Sequence, residues 1–388
     1  MRELLAEAIA KEGDVKELRK RLGKHLTNRS FESDQLNAAY LAAISHILDL
    51  PFKPVAPHIL PNGLPLEEWA GHRHGSQVPH LYHAIELGIL WALLGVLYKR
   101  EEYTIASVKI AHWLLNLLDN QAQLMLGIWL PGSDYSLRSN LSLLFRIALQ
   151  ITGDARFVAA APQEIDPHLQ TVANFLLPKL QKQERFPLSL FLEEMTVGMM
   201  SFRARNWCGV FSLSGHQSGM GAIHHGDVAI AALGPQRAPF DDLSTFGIAR
   251  RAPFKEMAWE KSATGGLIQG WIQVDEMWVQ MAVAIGSEEI HIGVKGEVKP
   301  LTSMVFYVHA EAISVDDKLI LKKRELAHYR GPTTKLTLMG GKEKIFLTPL
   351  GPQTVEILPL CGGNYFFDSD FLIAVSWRDD HLQWKINI

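Results

Sequence analysis

Cysteine is scarce in this sequence. Its 388 residues hold only Cys208 and Cys361, far apart and in no CxxC pair. That excludes a disulfide framework or a cysteine-built zinc ribbon and leaves at most one long-range disulfide. Strong net charge is also missing. The formal charge is −3, so nothing global draws the chain to nucleic acid. The basic residues near the start (Lys16, Arg19, Lys20, Arg21, Lys24) are interleaved with Glu3, Glu7, Glu12, Asp14 and Glu17, which reads as a solvated amphipathic helix. Long apolar runs are absent too. A run such as Leu87 to Tyr98 is too short to span a bilayer. The opening MRELLAEAIAKEGDVKELRKRLG has charges every few positions and no apolar secretory core. The expectation is a cytoplasmic protein with neither a membrane nor a nucleic-acid partner.

What is present is an ordinary globular mix, 47% hydrophobic and 20% charged. The chain is too long for one ordinary core, so two domains are expected. Residues 1–202 carry helical periods. Leu4, Leu5, Ala8, Ile9, Val15 and Leu18 share one face, with a break near Gly13-Asp14, and Leu36, Ala39, Tyr40, Ala43, Ile44 and Ile47 share another. Five prolines between Pro51 and Pro65 make a long loop. Further helices are expected over Pro79 to Lys99, Tyr103 to Leu118, Leu141 to Thr152, Asp166 or His168 to Leu180, and Leu188 to Met200.

Residues 203–388 carry strand periods instead. Val228 to Leu233, Gly270 to Ile285, Ile290 to Val298, Met304 to Ala312 and six later runs are separated by turn pairs such as Asp316-Asp317 and Gly340-Gly341. Helices grouped first and strands grouped second give an α+β fold, a helical domain followed by an antiparallel β-sandwich.

The two patterns meet at Arg203 to Gly234. This stretch sets Arg203, Arg205, Asn206, Trp207, His216, His224, His225 and Asp227 among many glycines. Gly215-His-Gln-Ser-Gly219 is not a nucleophile elbow, because Ser218 stands one place late. Gly219-Met-Gly221 lacks the third glycine of a dinucleotide loop, and Gly340-Gly-Lys342 is no P-loop. The densest histidine cluster is His72, His74, His80 and His83. Neutral imidazoles at such spacing can bind zinc or related metals, and His224, His225 and Asp227 are either a second half for such a site or a turn into the strand from Val228, where adjacent histidines face opposite ways. HExxH is absent. Helix capping, core packing and sugar contact are the alternative roles, and no cofactor is expected unless that metal reading holds. The loop from Trp129 through Tyr135 and Arg138 to Asn140 gathers rings that stack on sugars and a guanidinium that pairs with carboxylate or sulfate. Anchoring that loop on the helical core is its alternative use.

A helical toroid followed by antiparallel sheets resembles the heparinase II/III-like and chondroitin/hyaluronate-type polysaccharide lyases. The resemblance is one of organisation along nearly the whole chain. It implies a saccharide ligand carrying uronates, bound in a cleft between the two domains. It also implies an Asn that neutralises the uronate carboxylate, a His or Tyr that takes the C5 proton, and a Tyr that protonates the leaving oxygen. His74 and Tyr82 stand in that order, though the local PHLYH differs from the family's sequence. His216 or His224 is the alternative base. Arg203, Arg205, Asn206, His216 and His74 supply the donors and base that such chemistry needs. The expected set is then His74, Tyr82, His216 and Arg203 for catalysis, with Trp129, Tyr135, Arg138, Asn140, Arg205, Asn206 and Trp207 holding the saccharide. Two other classes stay open. One is a non-catalytic saccharide-binding or scaffold protein, and the other is a metal-dependent hydrolase using the histidines.

Overall fold

The computed structural model describes residues 1–11, 14–26, 35–59, 81–118, 135–159, 165, 167–181, 193–194, 199–203, 207–212, 221–237, 254–262, 265–274, 277–296, 302–351, 353–360, 369–376 and 381–388. By contact the chain divides into two units. One carries the helices. The other carries the strands and also takes in the segment beginning at Asn116.

The helices are α1 (Arg2–Ala10), α2 (Val15–Leu26), α3 (Gln35–Ile47), α4 (Leu81–Tyr98), α5 (Glu101–Leu115), α6 (Tyr135–Thr152), α7 (Arg156–Ala159) and α8 (Pro167–Leu176). Among the described residues, α4 is the hub and packs against α3, α5 and α6. Its residues Ala84, Ile85, Leu87, Ile89, Leu90 and Trp91, which together go round the helix, are all buried, which explains why its sequence is apolar on every face. Gly88 allows a close approach to α6. A Cβ there would sit 3.0 Å from the Leu144 side chain of α6. One carboxylate interrupts this core. Glu86 on α4 is buried and accepts from the Arg2 guanidinium of α1 and the Tyr40 hydroxyl of α3. Burial, reinforced by the Glu86 charge, pushes the Tyr40 hydroxyl well above its ordinary range. The pairing ties three helices at one point, and it satisfies an ion that would otherwise be costly to bury. No helix among the described residues is long and apolar enough to cross a membrane.

The strands, in chain order, are β1 (Glu193–Glu194), β2 (Met199–Arg203), β3 (Cys208–Ser212), β4 (Gly221–His225), β5 (Val228–Arg237), β6 (Phe254–Ser262), β7 (Gly265–Val274), β8 (Met277–Ile285), β9 (Glu289–Lys295), β10 (Thr302–His309), β11 (Ala312–Val315), β12 (Leu319–Lys322), β13 (Tyr329–Thr333), β14 (Leu336–Gly340), β15 (Glu343–Pro349), β16 (Gln353–Pro359), β17 (Phe371–Ser376) and β18 (His381–Asn387). They form two antiparallel sheets. The first runs β1-β2-β3-β4-β5-β10-β17-β16-β13, and the second runs β12-β11-β14-β15-β18-β9-β8-β7-β6. One core joins them. In it Phe306 of the first sheet meets Trp384 of the second at 5.6 Å between ring centres.

Alternation tracks exposure. On β9, Ile290, Ile292 and Val294 are buried while the residues between them reach solvent. On β5, β10 and β17 a second buried set (Ala231, Ala232, Val305, Tyr307, Leu372, Ala374) lies on the other face. Those strands therefore read as continuous apolar runs.

Two expectations about helices change, and the run expected over Gly270 to Ile285 divides between the paired strands β7 and β8. The helix expected over Leu188 to Met200 is replaced, where described, by the strand pair β1 and β2. Met199 to Arg203 pairs residue for residue with Ser212 to Cys208, so sheet pairing overrides a weak local helical period. The helix expected from Leu141 starts at Tyr135.

Candidate functional site

Where described, the stretch from Arg203 to Gly234 holds the end of β2, then β3, β4 and most of β5, which are neighbours in the first sheet. Arg203 ends β2 and lies opposite Cys208, the first residue of β3. Its guanidinium donates to the carbonyl of Leu118, three residues past α5. The buried Cys208 thiol lies 3.8 Å from the same oxygen. These contacts dock the chain leaving α5 onto the sheet edge, with an exposed arginine beside it.

Trp207, expected at the ligand, is a core residue. It is fully buried, packs edge-on to Phe202 at 5.8 Å, and its indole N–H donates to the Ser287 carbonyl at 3.0 Å. A ring with no exposed face cannot stack on a sugar, so its polar atom serves the fold.

His224 and His225 are neighbours on β4, so their side chains take opposite faces and do not share one ligand. His224 is buried and sits across from Cys208. The His225 Nε2 lies 2.8 Å from the carboxylate of Glu343 at the start of β15. The β4–β5 turn, with Gly226 at φ 54°, packs on the β14–β15 turn. A Cβ at Gly341 would lie 2.9 Å from the Asp227 carboxylate. His225 and Asp227 thus link two turns, one from each sheet, and no cluster of three His, Cys, Asp or Glu suited to a metal occurs among the described residues.

The remaining expected residues divide by position. Asn140 is buried on α6, and His83 is half-buried on α4. Tyr82 falls on α4, and Tyr135 and Arg138 fall on α6. His72, His74, His80, Trp129, Arg205, Asn206 and His216 lie outside the described residues.

A charged cluster that no sequence spacing announced lies elsewhere in the strand unit. Asp370, just before β17, is buried. It accepts from Lys323 Nζ at 2.8 Å, from the backbone N–H of Ala310 at 3.2 Å, and lies 3.0 Å from His309 Nδ1. Burial pushes its carboxyl up, but the bonds from His309 and Lys323 outweigh this and hold it below the ordinary carboxylate range. His309 and Lys323 stand 14 residues apart, with Asp370 far downstream. The return of β17 beside β10 brings Asp370 to His309, and the β11–β12 hairpin brings Lys323.

Asp370→Asn is expected to lower stability by about 1–2 kcal/mol at neutral pH, a modest figure because Lys323 and His309 are both about a third exposed. Since the folded carboxyl is depressed, the contribution is present above the unfolded value and is lost as pH falls through the folded one. Urea denaturation of parent and variant should converge in acid. An equal gap at neutral pH and in strong acid would contradict the assignment.

This order of helices followed by two antiparallel sheets sharing one core is shared with two solved lyases. The chain is similar to a xanthan lyase from Paenibacillus, with a TM-score of 0.57 and 11% identity over 92% of this chain and 44% of that one. It is similar also to the chondroitin AC lyase of Streptomyces coelicolor A3, solved with chondroitin sulphate, with a TM-score of 0.52 and 8% identity over 93% of this chain and 61% of that one. The chain spans less than two thirds of the length of either. No family model and no curated protein sequence matches it.

Proposed function

We propose that this protein acts on acidic, uronate-containing saccharides by β-elimination. The observation that carries this reading is the lyase fold running through more than nine tenths of the chain. Elimination breaks the C5–H and C4–O bonds and forms a C4=C5 double bond. It needs a cationic or amide donor on the carboxylate, a base for the C5 proton and an acid for the leaving oxygen. Arg203, exposed at the end of β2, suits the carboxylate. His216 or His74 is assigned to the proton and Tyr82 to the leaving oxygen. Arg205 and Asn206, Trp129, Tyr135 and Arg138 are assigned to the sugar chain.

A non-catalytic saccharide-binding protein on the same scaffold is favoured by one observation. Trp207, Asn140 and His224 are all buried. The test is to incubate the protein with a panel of uronate polymers and follow the ultraviolet absorbance of the unsaturated product. The elimination reading expects turnover that falls at least about a hundredfold in His216→Ala. No absorbance change on any polymer, with His216→Ala binding sugar as well as the parent, would sink it.

A further inference from the structure

The second sheet presents a different surface to solvent. Residues paired across antiparallel strands share a face, so the pairings define that face from the register. His381 and Gln383 of β18 pair with Lys295 and Gly293 of β9, which pair in turn with Gln280 and Ala282 of β8. These six line an open groove of about 380 Å³, within the size range of small-ligand sites. Gly293 leaves the floor low. A Cβ there would meet only the Gln383 Cγ, at 3.9 Å.

The same face continues onto β7. Trp271 pairs with Gln280, and Trp278 lies two residues before Gln280 on β8, so both indoles share the groove's side and both are partly exposed. The charge on this face is sorted by position. At one end Glu289 is neutralised by Lys385 and lies 3.0 Å from His291 Nε2. At the other end Lys295 and His381 line the groove, and no carboxylate does so among the described residues.

We propose that this outer face is a binding subsite for an acidic sugar chain. The Lys295 ammonium takes a carboxylate or sulfate, the Gln280 and Gln383 amides take hydroxyls, and the Trp271 and Trp278 rings offer apolar faces to the pyranose rings. The groove needs no reactive group and rests on this sheet face alone, so it stands whether or not the chain catalyses elimination.

The experiment follows the Gly293 backbone amide and the Gln280 and Gln383 side-chain amides by NMR. A short oligouronate is titrated in, with a neutral oligosaccharide of equal length as control. The amide signals are expected to move saturably with the oligouronate and far less with the control. Lys295→Ala should weaken the oligouronate about tenfold or more. Gly293→Val fills the floor with a residue suited to a strand and should abolish the shifts of the two glutamine amides, while its melting temperature stays near the parent's. Signals that do not move, or oligouronate affinity unchanged in both variants, would overturn the proposal. If Gly293→Val fails to fold, Lys295→Ala decides alone. Formation of unsaturated product, measured separately, reports on the lyase reading and leaves this result independent of it.

Discussion

Trp207→Ala is expected to lower the stability of the strand unit by about 3–5 kcal/mol, the cost of deleting a buried aromatic ring and leaving its cavity. The ring has no solvent exposure and stacks edge-on against Phe202, which itself lies parallel to Phe211 at 5.9 Å. Its N–H bond to Ser287 ties the β2–β3 connection to the β8–β9 turn of the other sheet. Trp207→Phe keeps most of the packing but leaves the Ser287 carbonyl without that donor, so about 1–2 kcal/mol is expected. Urea denaturation gives both values. The competing role, sugar stacking, makes the opposite prediction: stability within error of the parent and a loss confined to ligand affinity.

Acid should weaken the helical unit through one imidazole. His112 on α5 is largely buried and stacks on Phe157 at 5.0 Å. The nearest carboxylate, Asp154, is 4.0 Å away and already engaged by the Arg156 guanidinium at 2.6 Å. Burial, with the Arg156 charge added, lowers the His112 pKa to about 4, against an ordinary value of 6.5. Between those values the unfolded chain binds a proton that the folded chain refuses. Stability from neutral His112 is therefore complete above the ordinary histidine value and is lost as pH falls through about 4. The interval corresponds to about 3 kcal/mol. His112→Phe keeps the stacking and removes the titration, so the stability difference between pH 7 and pH 4 should shrink by about that amount. An unchanged pH dependence in the variant would contradict the assignment.

The division into helices and strands was legible because the hydrophobic period changes from helical to alternating within the chain. Strands with one wet face, such as β9 and β18, alternate cleanly. The Asp316-Asp317 turn was legible as well. Both residues have positive φ, which aspartate tolerates, and the Asp316 carboxylate accepts the backbone N–H groups of Thr334 and Lys335. β4 was not legible, since all five of its residues are buried and no alternation survives. β2 read as helix because its strand character is supplied by pairing with β3.

The site was less legible than the fold. Sequence proximity made His224, His225 and Asp227 look like ligands, whereas strand geometry separates the two imidazoles and commits His225 to Glu343. Trp207 carries nothing in its neighbours to say that its ring faces the core. His309 and Asp370 meet through the pairing of β10 with β17, Lys323 reaches them through the β11–β12 hairpin of the second sheet, and the groove on the second sheet exists only in its register.

The central claim, elimination on an acidic saccharide, is tested most directly by the mass of the fragments formed in water enriched with heavy oxygen. Elimination takes no oxygen from solvent, so fragments lighter by one water than hydrolysis would leave, and free of label, are expected. Labelled fragments would contradict the claim and point to a hydrolase, and an uncut polymer that still binds would leave a saccharide-binding protein on a lyase scaffold.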